Sequence, residues 1–72
     1  MAGYHALPSG KKWAVRKSGS ARAMRLVDSE ALAWGMARNL AEKAGSHAWL
    51  HDRDGRIVAH ECWPVDHKEE FR

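Results

Sequence analysis

A chain of 72 residues, 44% of them hydrophobic and 29% charged, is long enough for one small folded domain and too apolar for a disordered segment. The net charge is +3 at pH 7, and all six basic residues of the first third precede the first acidic residue, Asp28. No stretch approaches the roughly 20 apolar residues of a membrane span, the N-terminus lacks the apolar core of a signal peptide, and the single cysteine, Cys62, excludes an internal disulfide. We therefore expect a cytoplasmic protein without a membrane contact.

The first half of the chain predicts three short strands, at residues 4–7, 13–16 and 24–27. Turn residues at positions 8–10 and 18–20 separate them. Alternation puts Trp13 and Val15 on one face and Arg16 on the other. In the third strand, Met24 and Leu26 share the face expected to contact a helix, so Arg25 is expected to lie on the opposite face.

Residues 29–44 are predicted to form the one helix of the domain. Asp28 and Ser29 are good N-caps, Glu30 suits the first turn, and Gly45 is a typical C-terminal stop. Helical spacing predicts an apolar face, with Leu40 at its centre, made of Leu32, Ala33, Met36, Ala37, Leu40, Ala41 and Ala44. Because most of these side chains are small, the helix is expected to lie close against a sheet.

Two further strands are predicted at residues 48–51 and 56–60, joined by a turn at 52–55. The register expected for that turn puts Leu50 and Val58 on one face, and Trp49 and Ala59 on the other. The order β-β-β-α-β-β predicts an α+β fold, a single antiparallel sheet with one helix packed on one face and the other face left uncovered. Residues 1–63 are interpreted as one domain, and residues 64–72 as a charged C-terminal tail.

Several short motifs, in this order and spacing, resemble the small bacterial and phage family DUF2188. They are Trp-Ala-Val at 13–15, Ala-Arg-Ala at 21–23, Asp-Ser-Glu-Ala at 28–31, Ala-Arg at 37–38 with Ala41, and His51 before Asp-Gly-Arg-Ile at 54–57. The resemblance covers roughly residues 4–58 and implies a compact α+β domain of unknown function, without catalytic residues to transfer. The Cys-Trp-Pro at 62–64 departs from the polar, glycine-rich ending expected for the family.

Nucleic acid is the first candidate partner, because basic and aromatic side chains on an open sheet bind single strands through phosphate contacts and stacking. The expected contacts are Lys11, Lys12, Arg16, Lys17, Arg22, Arg25, Trp49 and His51. The alternative is that these charges only keep the domain soluble and that Trp49 is half-buried by a neighbour. No nucleic-acid-binding signature motif is present.

A protein partner or a homodimer is the second candidate. The open sheet face and its flanks are expected to expose an apolar patch, formed by Trp34, Trp49, Ile57 and Trp63 together with Ala59. The alternative is that the first strand and the tail cover this patch.

A metal site and catalysis are the least favoured interpretations. His47, His51, His60, Cys62 and His67 are candidate ligands, but His47 and His51 lie about 13 Å apart on an extended strand, and no paired Cys-x-x-Cys is present. Cys62 with His60 or His67 could serve as nucleophile and base, yet nothing supplies an oxyanion site. We therefore expect no metal, no cofactor, no small-molecule substrate and no enzymatic activity.

Overall fold

The computed structural model describes residues 3–63. It contains the strands β1 (Tyr4–Ser9), β2 (Lys12–Lys17) and β3 (Arg25–Val27), the helix α1 (Glu30–Ala44), and the strands β4 (His47–His51) and β5 (Ile57–Cys62). The predicted α+β class is confirmed, and the elements follow one another along the chain in the predicted sequence β-β-β-α-β-β. The predicted tail, residues 64–72, lies outside the described residues. No helix within residues 3–63 is long and apolar enough to cross a membrane.

The five strands form one mixed sheet in the order β3-β2-β1-β4-β5, so the prediction of a purely antiparallel sheet is wrong. β1 and β4 are parallel, with Tyr4 opposite Ala48 and Ala6 opposite Leu50. The helix explains this arrangement. Its 15 residues span about 22 Å, close to the length of a six-residue strand. Since α1 returns the chain along the sheet after β3, β4 starts at the same end as β1 and runs beside it in the same direction.

The helix ends are those that the sequence predicts. Ser29 is the N-cap, and its hydroxyl accepts a hydrogen bond from the backbone N–H of Leu32 at 3.2 Å. Gly45 takes the left-handed conformation (φ 64°) that terminates the helix. The prediction for the apolar face is wrong in part, because Leu32 is 56% exposed and Leu40 only partly buried.

Three alanines form the centre of the helix contact. Ala33, Ala37 and Ala41 are fully buried and pack on a small core that also contains Ala6, Trp13, Val15, Ala48 and Leu50. Methyl side chains allow the helix backbone to approach the sheet closely. Ala37, and not Leu40, is therefore the central residue of the contact.

The predicted faces of the two edge strands are wrong. Trp13 pairs with Val27 and Val15 with Arg25, so Val27 and Arg25 lie on the helix face while Leu26 lies on the opposite face. Burial of Trp13 and Val15 sets this register.

On the other edge, Leu50 pairs with Ala59, and Trp49 pairs with His60. A register irregularity at Leu50 and His51 shifts β5 by one residue from the predicted pairing. The shift moves Ala59 to the helix side, where it packs against the core.

Candidate functional site

The sheet face opposite α1, called the open face below, carries a row of side chains in register across four strands. His5 pairs with Arg16 on one side and with Trp49 on the other, and Trp49 pairs with His60. Residues directly opposite one another on neighbouring strands lie on the same face. The order Arg16, His5, Trp49, His60 therefore runs continuously from β2 to β5, and we call it the cross-strand row.

Trp49 is the centre of a cluster of stacked rings on this face. The ring of His5 lies 4.7 Å from the indole at 18° and that of His60 lies 5.2 Å from it at 8°, while His47 is at 5.3 Å and 14°. Because β4 lies between β1 and β5, the indole has an imidazole on each side. Its ring faces are therefore covered by histidines. We call His5, His47, Trp49, His51 and His60 the aromatic cluster.

The four histidines of the cluster form two hydrogen-bonded pairs. His5 Nδ1 lies 2.9 Å from His51 Nε2, and His47 Nδ1 lies 3.0 Å from His60 Nε2. His5 Nε2 is also 2.8 Å from the hydroxyl of Ser18. Burial, followed by the positive charges of His51 and Arg16, lowers the pKa of His5 from its ordinary value of 6.5. The His5 imidazole is thus favoured in its uncharged form at neutral pH.

Gly3 provides the surface on which Trp49 rests. A methyl group at this position would overlap Cζ3 of the indole and lie 2.7 Å from Cη2 and 3.2 Å from Cε3. The carbonyl of Gly3 accepts a hydrogen bond from the Ser18 backbone N–H at 2.8 Å, which anchors the chain there. The absence of a side chain at position 3 is therefore a requirement of the aromatic cluster.

The six basic residues of the first third do not form one patch. Arg16 is half-buried in the cross-strand row. Lys17, at the end of β2, pairs with Tyr4, which packs against the core. Lys12, at the other end of β2, lies 2.7 Å from Asp28, and its hydrogen bond lowers the pKa of that carboxyl. Lys11 is exposed in the β1–β2 turn, and Arg22 is exposed in the loop before β3.

Arg25 contradicts the prediction that it lies on the sheet face opposite the helix. It pairs with Val15 and lines a groove with Met36 and Leu40 on the helix side. It is therefore not part of the open face.

The residues of the predicted apolar patch also lie apart. Trp34 is on the helix, half-buried, with the Arg38 guanidinium 5.3 Å from its ring. Trp63 packs against the core and donates a backbone hydrogen bond to Ser46. Trp49 is on the open face, and the exposed Ile57 at the start of β5 pairs with His51 of the same face. These four residues do not form one continuous surface.

The described candidate metal and catalytic groups lie on β4 and β5. Within residues 3–63, no three His, Cys, Asp or Glu side chains converge as metal ligands. The Nε2 atom of His60 is hydrogen-bonded to His47, and the exposed Cys62 lies in an edge strand. His67 lies outside the described residues.

Sequence reasoning did not assign His5, His47, His60, Ser18 or Gly3 to the site. Alternation along β4 places His47 on the same face as Trp49 and His51, since every second residue of a strand shares a face, and this signal was sufficient to add His47 to the site. No local signal could have added His5, because it reaches Trp49 only through the parallel pairing of β1 with β4.

The model of an uncharacterised protein family conserved in bacteria, DUF2188, matches residues 4–60 of the chain. No curated protein and no solved structure matches this chain.

Proposed function

This chain belongs to DUF2188, an uncharacterised bacterial family, and we propose that it is a small non-enzymatic module whose open face binds nucleic acid. The observation that carries this proposal is the cross-strand row, in which a guanidinium and three aromatic side chains stand side by side. Open sheets with interleaved cationic and aromatic groups are a common means of binding single strands. The module would act in the cytoplasm, where nucleic acid is present and a free thiol such as Cys62 stays reduced.

The charge of the open face supports a polyanionic partner. Among the described strand residues of this face none is acidic, whereas Arg16 and Lys12 are basic. Glu61, the acidic residue of β5, lies on the helix side, 3.8 Å from Arg38. A phosphate backbone approaching the cross-strand row therefore meets the Arg16 guanidinium and neutral rings, whereas Lys12 at the edge of the face is already paired with Asp28.

The covered indole limits how bases could be recognised. A base can stack on Trp49 only if His5 or His60 moves, because both lie against the ring. His60, which is exposed on the outer strand, offers the more accessible ring face. Phosphate contacts therefore carry most of the proposed affinity, and the preference for particular bases should be weak.

Two arginines on opposite faces provide a matched test. Fluorescence anisotropy with a labelled single-stranded oligonucleotide measures the affinity of wild-type protein and of Arg16→Glu and Arg25→Glu. We expect Arg16→Glu to weaken binding by about tenfold or more and to reduce the salt slope by about one unit. Arg25→Glu, on the helix side, should bind nearly as well as wild type. No binding by wild type at roughly tens of micromolar in low salt would refute the proposal.

A protein partner or homodimer is the second candidate, and the edge strands favour it. Leu26 on β3 is 54% exposed, and Ile57 and Val58 on β5 are 56% and 54% exposed. Within residues 3–63, β5 pairs only with β4, so its outer backbone groups are available to another strand. Light scattering over a range of concentrations tests this candidate. A mass that doubles in wild type but not in Val58→Lys supports pairing through β5, and a constant monomer mass excludes the homodimer.

A further inference from the structure

A polar groove opens on the sheet beside the aromatic cluster, next to the turn that follows β2. Its volume is about 270 Å³, and its polar lining consists of His5, Arg16, Lys17, Ser18, Ser20 and His51. Every ionisable side chain in this lining is a base, and none is a carboxylate. The groove therefore concentrates positive charge and hydrogen-bond donors in one concave place.

The electrostatics of the groove favour an anion over a metal cation. His5 Nδ1 and His51 Nε2 are 2.9 Å apart, which is close enough for both to bind one metal ion. However, burial, followed by the positive charges of His51 and Arg16, lowers the pKa of His5. These neighbouring positive charges also disfavour a metal ion at the pair and favour a negative group beside Arg16.

The chain of hydrogen bonds from Ser18 through His5 to His51 leaves one donor for a ligand in either of its two orientations. If the Ser18 hydroxyl donates to His5 and His5 donates to His51, then the Nδ1–H of His51 remains available. If the donation runs the other way, the Ser18 hydroxyl hydrogen remains available. If this chain of hydrogen bonds takes up one proton, the Ser18 hydroxyl hydrogen and the Nδ1–H of His51 are both available to a ligand. Binding of an anion should therefore be coupled to proton uptake.

We propose that this groove binds a single phosphate group, with Arg16 and Lys17 as the charged contacts and the Ser18–His5–His51 chain as the neutral donor. A guanidinium matches two phosphate oxygens at once, while an ammonium supplies a second point charge. The inference rests on the proposed nucleic-acid function and identifies the part of the ligand that is held. The phosphate is either an internal diester of a strand or a terminal or free monoester.

Inorganic phosphate is the first probe, and the imidazole signals of the ¹⁵N-labelled full chain are the readout. We expect a saturable shift of the His5 and His51 signals and a rise in the pKa of His5, because a bound anion stabilises the imidazolium. Arg16→Gln and Lys17→Gln should each weaken the binding by about tenfold. Lys43→Gln, in the last turn of α1, is the matched control and should bind as wild type does.

Oligonucleotides with and without a 5′-phosphate distinguish the two sources. Tighter binding of the phosphorylated strand identifies a terminal group, and equal binding with competition by free phosphate identifies an internal diester. If chloride at equal ionic strength produces the same shifts, or if Arg16→Gln and Lys17→Gln leave them unchanged, the groove is not a phosphate site. Arg16-dependent oligonucleotide binding without phosphate shifts overturns this inference alone. Phosphate shifts without oligonucleotide binding overturn only the nucleic-acid function.

Discussion

Replacement of Gly3 by alanine tests the geometry of the aromatic cluster directly. The new methyl group would overlap Cζ3 of Trp49 and lie 2.7 Å from Cη2, well inside van der Waals contact. The indole cannot simply move aside, because His5 and His60 stack on it from the two neighbouring strands. Gly3 is also held in place, since its carbonyl accepts the hydrogen bond of Ser18.

The expected cost is that of overpacking, about 1–3 kcal/mol, reduced by a few tenths because alanine is less flexible in the unfolded chain. A domain of this size has a total stability of roughly 4–10 kcal/mol, so the loss is a sizeable share. One kcal/mol corresponds to about 4–8 °C in Tm for a domain of 60–100 residues. We therefore expect the Tm of Gly3→Ala to fall by about 5–20 °C, measured by circular dichroism.

Gly35 supplies a control in which the same chemical change has the opposite effect. It lies inside α1, and a methyl group there would meet nothing within 4 Å. Alanine is favoured over glycine in a helix by about 1 kcal/mol, so Gly35→Ala should raise the Tm. If Gly3→Ala is as stable as wild type, or if both variants shift the Tm in the same direction, Trp49 does not rest on Gly3 and the described cluster is wrong.

Three further outcomes are expected. Ala37→Asp should unfold the domain, because it buries an unpaired charge at the centre of the helix contact. Leu32→Asp, at an exposed position, should change the free energy of unfolding by no more than about 0.5 kcal/mol. Equal losses of stability in urea denaturation would contradict the helix orientation. Because the pKa of His5 is lowered in the folded state, its contribution to the free energy of unfolding is complete above pH 6.5 and is lost as the pH falls through the pKa of the folded state. Arg16→Gln should make this loss of stability at low pH smaller. Identical profiles of stability against pH for wild type and variant would argue against contact between the two residues. Trp49→Ala should weaken binding of a single-stranded oligonucleotide by about 1 kcal/mol, the low end of the roughly 1–3 kcal/mol of one stacked base, because His5 and His60 cover the indole. An unchanged affinity in anisotropy titrations would remove the aromatic cluster from the binding surface.

The sequence was sufficient for the features that depend on neighbouring residues. The helix from Glu30 to Ala44 and both of its caps were predicted correctly, because capping and helical spacing act within a few residues. The five strands were found for the same reason, since alternation and turn residues are local signals. The resemblance to DUF2188 was likewise confirmed by the match over residues 4–60.

The direction of β4 and the faces of the edge strands depend on pairing between distant segments. Whether β4 runs parallel or antiparallel to β1 depends on how α1 returns along the sheet, and no local pattern specifies that path. The faces of Arg25 and Ala59 follow from the register of the edge strands, and a shift of one residue moves each side chain to the other face. Predictions from neighbouring residues alone therefore placed the side chains of Arg25 and Ala59 on the wrong face of the sheet.

The aromatic cluster shows the same division between local and long-range information. The sequence by itself determined that His47, Trp49 and His51 share a face of one strand, because the side chains of a strand alternate with a period of two. Only the tertiary structure brought His5 and His60 to the two sides of Trp49 and Arg16 into the same row. The physical reason is that hydrogen bonding between strands joins residues distant in the chain, and burial of the small alanine-rich core selects the register in which they meet.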